Sequence, residues 1–365
     1  MATNFLAIEL QPPLLQFTGH LQTVLPAFRQ INVPYQRERI TTPDGDFLDL
    51  DWLKKPSYDR LVILCHGLEG NSERPYISGA ARYFFARNWD VLAWMCRSCS
   101  GEMNRTPRLY SHGQSEDVAT VVEHADRTGK YRQIVLIGYS MGGNLVLKYL
   151  GVAAGTQPAS VTHGIAFSAP CRIEHSVDAL EQRANWLYKR KFYVNLHAKI
   201  MHKAAQFPEQ VGQALGVAQE RLIRQEPDLW RRLQSSKRPD SSEPQPAEWA
   251  PKNRFVAIFE RNTMPAWRTF DELYSAPLNG FETAEDFYHY ASAANFMTGT
   301  TVPVLLVNAQ NDPIIPPECT PWDLLDQNAL LHIEQPKRGG HVGFMMRHEK
   351  RHTWMEERAE HFING

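Results

Sequence analysis

Short apolar runs recur along this chain and alternate with longer segments of mixed polarity. Four of them, at residues 61–65, 90–95, 133–138 and 301–307, consist largely of apolar side chains. Such runs are typical of strands buried on both faces of a parallel sheet. Because the segments between them have helical composition, the pattern predicts an α/β fold with a doubly wound sheet. Two further strands are predicted, at residues 160–168 and 330–333.

Two stretches depart from this alternation. Residues 37–53 predict a hairpin whose turn contains Asp44 and Gly45. Residues 171–300 are helical, aromatic and charged, and we interpret them as a cap inserted over the strand ends, where open α/β sheets bind ligands.

The chain would then comprise a first core part with an N-terminal arm (1–170), the cap (171–300) and a second core part (301–365). Three smaller elements are also predicted: a mobile loop at 235–253, a strand at 255–259 and a terminal helix from about 346 to 362.

The composition narrows the function classes. The chain has 365 residues, 43% of them hydrophobic, and a formal net charge of −1. This size suits one large domain with an insertion, and a near-neutral chain gives no reason to expect nucleic-acid binding. Five cysteines without a second C-x-x-C pair indicate free thiols in a reducing compartment. Since we find no signal-peptide pattern and no bilayer-length apolar run, we expect a soluble cytoplasmic protein.

The strand predicted at residues 133–138 leads directly into a nucleophile motif. The sequence Gly138-Tyr-Ser-Met-Gly fits G-x-S-x-G. Its glycines let the strand and helix backbones approach, and the sharp turn holds Ser140 in a strained conformation at a helix N-terminus. We therefore predict Ser140 as a nucleophile and the backbone N–H of Met141 as a donor to an oxyanion.

A second oxyanion donor is predicted in the loop after residues 61–65. This strand ends in His66-Gly67, and Gly70 follows soon after. Loops of this kind point backbone N–H groups at a ligand, and we predict that the N–H of Leu68 does so. The alternative is an ordinary strand-to-helix loop.

Activation of a serine requires a base and a carboxylate that orients it. His341 lies in a glycine-flanked loop after a predicted strand, and Asp312 follows another strand directly. The order Ser140, Asp312, His341 is that of one class of serine hydrolases and differs from the order in the others. We predict these three residues as a catalytic triad. Three other carboxylates are weaker candidates for the acid: Asp44, Asp90 and Glu174.

A rival motif lies near the C-terminus. His348-Glu-Lys-Arg-His352 matches H-E-x-x-H, which on a helix would offer two zinc ligands. Met355 and Arg358 occupy the positions where one class of zinc proteases has Gly and His. We interpret the motif as part of a charged terminal helix, and we predict no metal and no cofactor.

Residues 183–203 carry six lysines or arginines and no acid, interleaved with aromatic and aliphatic residues. This composition suits a basic amphipathic segment that contacts a membrane surface transiently. A cap helix with a solvated basic face is the alternative that we favour.

Seven motifs together make the chain resemble the YheT-like family of α/β-hydrolases. They lie at residues 19–23, 66–70, 98–104, 138–143, 269–281, 311–313 and 339–344, and the stretch at 270–281 is the most family-specific. The family includes eukaryotic phospholipid and acylglycerol hydrolases and yeast medium-chain ester synthases. The resemblance implies an α/β-hydrolase fold with an eight-stranded, mostly parallel sheet, helices on both faces and a helical cap. It also implies Ser140, Asp312 and His341 as the catalytic residues. Ser98 departs from the family, which usually has glycine at this position.

These observations favour a serine carboxylic-ester hydrolase that acts through an acyl-Ser140 intermediate. We expect its substrate to be a small molecule, an acyl ester whose apolar chain is held under the cap. One alternative is an alcohol O-acyltransferase that uses the same triad. The other is a lipid-binding protein that retains the triad without using it. The oligomeric state and the acyl-chain length do not follow from the sequence.

Overall fold

The computed structural model describes residues 10–229, 231, 264–348 and 351–365. Eight strands form one sheet within these residues. They are β1 (Gln36–Thr41), β2 (Phe47–Leu53), β3 (Arg60–Cys65), β4 (Asp90–Met95), β5 (Gln133–Tyr139), β6 (Val161–Phe167), β7 (Val304–Val307) and β8 (Leu331–Glu334).

The strand order in the sheet is β1-β2-β4-β3-β5-β6-β7-β8. The first two strands form the predicted antiparallel hairpin, and β2 pairs antiparallel with β4. All remaining neighbours pair in parallel. The predicted α/β fold with a mostly parallel eight-stranded sheet is therefore confirmed. Because β3 and β5 lie at the centre, almost all of their residues are buried, as their apolar runs predict.

Helices connect and flank the strands. Those described are α1 (Gly19–Val24), α2 (Pro75–Phe85), α3 (Ser115–Asp126), α4 (Met141–Val152), α5 (Ile173–Leu180), α6 (Trp186–Gln206), α7 (Gln213–Gln225), α8 (Trp267–Phe270), α9 (Ala276–Leu278), α10 (Ala284–Ala291) and α11 (Trp354–Asn364). Short 3₁₀ or π turns lie at Pro26–Phe28, Arg183–Asn185, Pro208–Gly212, Asp271–Ser275, Ala293–Asn295, Met297–Gly299, Pro317–Cys319 and Trp322–Gln327. Of the helices that the structure describes, none is both long and apolar enough to cross a bilayer.

The chain divides into two compact units. The first comprises Met1–Thr106, Tyr110–Ala179 and Tyr288–Gly365 and contains the whole sheet. The second comprises Pro107–Leu109 and Leu180–Phe287. Its longer part, Leu180–Phe287, lies within the predicted cap at 171–300, whose boundaries and role stay predictions. The strand predicted at 255–259 and the loop predicted at 235–253 fall outside the described residues.

The second unit has an aromatic core of its own. Phe270 is almost fully buried, and its ring centroid lies 5.2 Å from that of Trp267, 5.4 Å from that of Tyr193 and 4.9 Å from that of Tyr274. Three of these rings belong to the segment around residues 267–278, whose helical turns bring them onto one side. The aromatic residues of this segment therefore serve packing within the unit.

Candidate active site

Ser140 occupies the sharp turn between β5 and α4. Its backbone has φ 55° and ψ −124°, a conformation that L-residues rarely adopt. A Cβ on Gly138 would lie 2.2 Å from the carbonyl oxygen of Gly142, and one on Gly142 would lie 2.3 Å from the carbonyl oxygen of Cys65. Both positions therefore require glycine, as the motif predicts.

His341 lies beside Ser140 although 201 residues separate them along the chain. Its Nε2 is 2.9 Å from Ser140 Oγ. The residue is 7% exposed, so His341 is buried. Ser168 follows the end of β6, and its Oγ accepts a hydrogen bond of 3.1 Å from the N–H of Val342. This bond helps to hold the loop that carries His341.

Asp312 lies on the other side of the imidazole. Its Oδ2 is 3.0 Å from Nδ1 of His341, and its Oδ1 accepts hydrogen bonds of 2.8 and 2.9 Å from the N–H groups of Ile314 and Ile315. Since a carboxylate faces Nδ1, that nitrogen carries the proton, and Nε2 accepts from the Ser140 hydroxyl. The three residues predicted from the sequence thus form one continuous hydrogen-bonded line.

The two predicted oxyanion donors belong to segments that adjoin Ser140. Met141 is the first residue of α4, and the loop carrying Leu68 runs against the serine, since a Cβ on Gly67 would lie 3.0 Å from Ser140 Cβ. Within the described residues, neither Met141 N–H nor Leu68 N–H donates to a protein acceptor. Their role as donors to a developing negative charge stays a prediction.

His66 supports this loop, a role that the sequence does not reveal. Its Nε2 accepts a hydrogen bond of 3.0 Å from the N–H of Cys96, so its Nδ1 carries the proton and donates to the carbonyl of Gly67 over 2.7 Å. That carbonyl and the N–H of Leu68 belong to one planar peptide group. The hydrogen bond that holds the Gly67 carbonyl therefore also fixes the direction of the Leu68 N–H.

The weaker candidates for the acid have other partners or other places in the fold. Asp44 forms an ion pair of 2.6 Å with Arg97. Asp90, at the first position of β4, binds Lys130 and the hydroxyl of Tyr131. Glu174 lies in the first turn of α5. The carboxylate that contacts His341 is that of Asp312.

The terminal helix predicted from about residue 346 begins later, and that prediction is wrong. It starts at Trp354, where Thr353 and Glu356 form a capping box. His348 therefore precedes the helix, and His352 Nε2 lies 2.6 Å from Glu357 Oε1. Glu349 and Lys350 fall outside the described residues. Among the residues described, no three His, Cys, Asp or Glu side chains are grouped so as to hold a metal ion.

The basic segment at residues 183–203 forms a 3₁₀ turn and most of α6. Three of its six basic residues are buried, namely Lys189, Lys199 and Lys203. Lys189 Nζ lies 2.9 Å from the carboxylate of Glu181. The solvated basic face is thus smaller than the sequence suggests, and contact with a membrane surface stays a prediction.

Comparison with known proteins identifies the fold family of the chain. A family model described as "alpha/beta hydrolase fold" matches residues 60–344, which include Ser140, Asp312 and His341. The chain belongs to the α/β-hydrolase fold family.

Relatives of this α/β-hydrolase share about a quarter of its residues. YheT of Escherichia coli (strain K12) is 28% identical over 96% of this chain and 92% of that protein. "Phospholipase ABHD3" of Homo sapiens is 24% identical over 92% of this chain and 73% of that protein. "Medium-chain fatty acid ethyl ester synthase/esterase 2" of Saccharomyces cerevisiae is 24% identical over 78% of this chain and 58% of that protein. The resemblance to the YheT-like family is confirmed.

A solved structure supports the same fold. The Pyrococcus furiosus esterase Pf2001 aligns with a TM-score of 0.53 at 15% identity and covers 90% of each chain. At this identity the likeness concerns the fold alone.

Proposed function

We propose that this protein is a serine carboxylic-ester hydrolase that acts through an acyl-Ser140 intermediate. The observation that carries the proposal is the line of two hydrogen bonds, 3.0 and 2.9 Å long, from Asp312 through His341 to Ser140. Relatives named as a phospholipase and as an ester synthase/esterase support a substrate with an acyl ester bond.

In the proposed acylation step, His341 Nε2 takes the proton of the Ser140 hydroxyl as Oγ attacks the ester carbonyl carbon. Asp312 stabilises the imidazolium that forms. The carbonyl oxygen becomes an oxyanion that accepts from the N–H groups of Met141 and Leu68. When the tetrahedral intermediate collapses, the bond to the leaving oxygen breaks, and that oxygen takes the proton from Nε2 and departs as an alcohol.

Deacylation repeats these steps with water. His341 removes a proton from water as the water oxygen attacks the acyl carbon, and the proton returns to Ser140 Oγ as the acid leaves. Side chains, two backbone N–H groups and water supply every group that this reaction needs. The reaction therefore calls for no cofactor.

Transfer of the acyl group to an alcohol is the second candidate, favoured by the name of the yeast relative. An alcohol that replaces water in deacylation would give an ester in place of an acid. Product analysis with added ethanol separates the two, since a transferase would form ethyl ester faster than free acid.

The proposal is tested with p-nitrophenyl esters from acetate to palmitate. Ser140→Ala should lower kcat by about 10⁴- to 10⁶-fold at the preferred chain length and leave a residual rate from the oxyanion donors. Ser57→Ala, on an exposed loop, is the matched control and should retain the wild-type rate. Equal hydrolysis by the Ser140→Ala and wild-type proteins would overturn the proposal.

A further inference from the structure

A short helix in the N-terminal arm joins the two loops that carry Asp312 and His341. Helix α1 spans Gly19–Val24, and its Gln22 side chain is 1% exposed. Gln22 Oε1 accepts a hydrogen bond of 3.0 Å from Asn311 Nδ2 and another of 2.8 Å from the N–H of Gly339. One buried amide oxygen thus connects the residue before Asp312 with the start of the loop that contains His341.

Thr23 binds the backbone of His341, the proposed base. Its Oγ1 accepts a hydrogen bond of 2.9 Å from the N–H of His341 and donates one of 2.7 Å to the carbonyl of Gly19. Because the hydroxyl proton is directed to Gly19, an oxygen lone pair remains for His341. Asn311 Oδ1 adds a direct link of 3.1 Å to the N–H of Gly340.

The backbones of the arm and the two loops are in direct contact. A Cβ on Gly343 would lie 1.8 Å from the carbonyl oxygen of Gln22, and one on Gly19 would lie 1.9 Å from the carbonyl oxygen of Asn311. Glycine at both positions lets the segments approach until their polar groups bond. The arm is therefore fitted against the loops at separations that no larger residue would allow.

The loop containing His341 needs such support. Gly340, Val342 and Phe344 have φ values of 61°, 49° and 43°, in the left-handed region. For the two non-glycine residues this conformation is unfavourable and persists only where surrounding structure imposes it. The arm supplies two of the hydrogen bonds that do so, and Ser168 supplies another.

We infer that Gln22 and Thr23 are positioning residues for the proposed ester hydrolysis. They hold the backbones of the two loops so that the His341 imidazole bridges Asp312 and Ser140. The inference rests on the proposed function, and it assigns the arm a role in the rate of the reaction beyond its packing. Neither residue is expected to touch the substrate.

Thr23→Val tests this, because valine keeps the shape of threonine and removes the acceptor for His341 N–H. A displacement of about 1 Å at a reacting group costs about 100-fold in rate. We expect kcat to fall by about 10- to 100-fold with KM nearly unchanged, and the rate of fluorophosphonate labelling to fall in parallel. Thr23→Ser, which keeps the hydroxyl, should restore most of the rate. Gln22→Met should behave like Thr23→Val.

Active-site titration separates positioning from folding. If Thr23→Val lowers only the titrated fraction of active protein and leaves kcat per active site unchanged, the inference is wrong. It is also wrong if Thr23→Ser loses as much activity as Thr23→Val. A Ser140→Ala protein assayed in parallel distinguishes the two claims. If the Ser140→Ala protein is inactive while the Thr23→Val protein has the wild-type rate, only the inference about Gln22 and Thr23 fails. If the Ser140→Ala protein is fully active, the proposed function fails too.

Discussion

Replacing Gly142 by alanine should push α4 away from the loop that carries Leu68. The added Cβ would lie 2.3 Å from the carbonyl oxygen of Cys65 and 2.5 Å from that of His66. Both obstacles are backbone atoms, so no side-chain rotation relieves the contact. Restoring an ordinary separation requires a shift of about 1 Å between the turn at Ser140 and the end of β3.

Such a shift should lower the stability of the protein slightly and its kcat much more. Overpacking of a close contact costs about 1–3 kcal/mol, which for a chain of this size lowers Tm by a few degrees. The same shift separates Leu68 N–H from the position of the oxyanion, and loss of one such donor costs about 10²- to 10³-fold. We expect Gly142→Ala to lower kcat by about 100-fold while most of the protein stays folded.

The assay measures kcat, KM and Tm on one preparation, with active sites titrated by a fluorophosphonate. Gly216→Ala is the matched control, since Gly216 lies inside α7 and a Cβ there would meet nothing within 4 Å. It should keep the wild-type rate and gain up to about 1 kcal/mol of stability. A Gly142→Ala protein whose kcat and Tm both equal the wild-type values would refute the reasoning.

Two titratable groups give further predictions. Burial lowers the pKa of His112 from its usual 6.5 to about 4, so below pH 6.5 the unfolded chain binds a proton that the folded chain does not. The free energy of unfolding should therefore decrease as the pH falls from about 7 to 5. Denaturant titrations should show that His112→Gln reduces this decrease by about 1 kcal/mol, a modest effect because His112 is partly exposed. A pH dependence identical in both proteins would contradict this. Burial also raises the pKa of the Cys65 thiol to about 12, so a thiol reagent near neutral pH should modify Cys65 only after unfolding, and labelling of Cys65 in the native state would argue against its burial.

Much of the fold and the site follows from the sequence because particular residue types mark the strands, the sharp turn and the strand ends. The strand at residues 61–65 is continuously apolar, and burial on both faces requires that composition. Gly138 and Gly142 mark the turn at Ser140 because no other residue fits the backbone approach there. Asp312 and His341 follow strands that end at the same edge of a parallel sheet, so their order and position predict their meeting.

Other features depend on contacts between distant segments, which no local pattern encodes. Gln22 is a polar residue in a proline-punctuated arm, and its partner Asn311 lies 289 residues away. The apolar residues around 344–346 have a pattern typical of the first turn of a helix. Phe344 instead lies in a loop at φ 43° and stacks on Trp354, with ring centroids 5.8 Å apart. The helix begins after Thr353, whose side chain caps it.

The family resemblance predicts glycine at position 98, and the structure shows how serine is accommodated there. It has φ 61°, in the left-handed region that glycine adopts readily. Its hydroxyl donates a hydrogen bond of 2.6 Å to Asn104 Oδ1 and accepts one of 3.1 Å from the N–H of Asn104. These bonds within a buried polar cluster offset part of the backbone strain at Ser98.

The central claim is that Ser140 is the residue acylated, with His341 as its base. Peptide mapping by mass spectrometry after reaction with a fluorophosphonate tests this most directly. We predict one adduct, on Ser140, that forms far more slowly in the His341→Ala protein. An adduct on a different residue, or equal labelling of Ser140 with and without the imidazole, would contradict it.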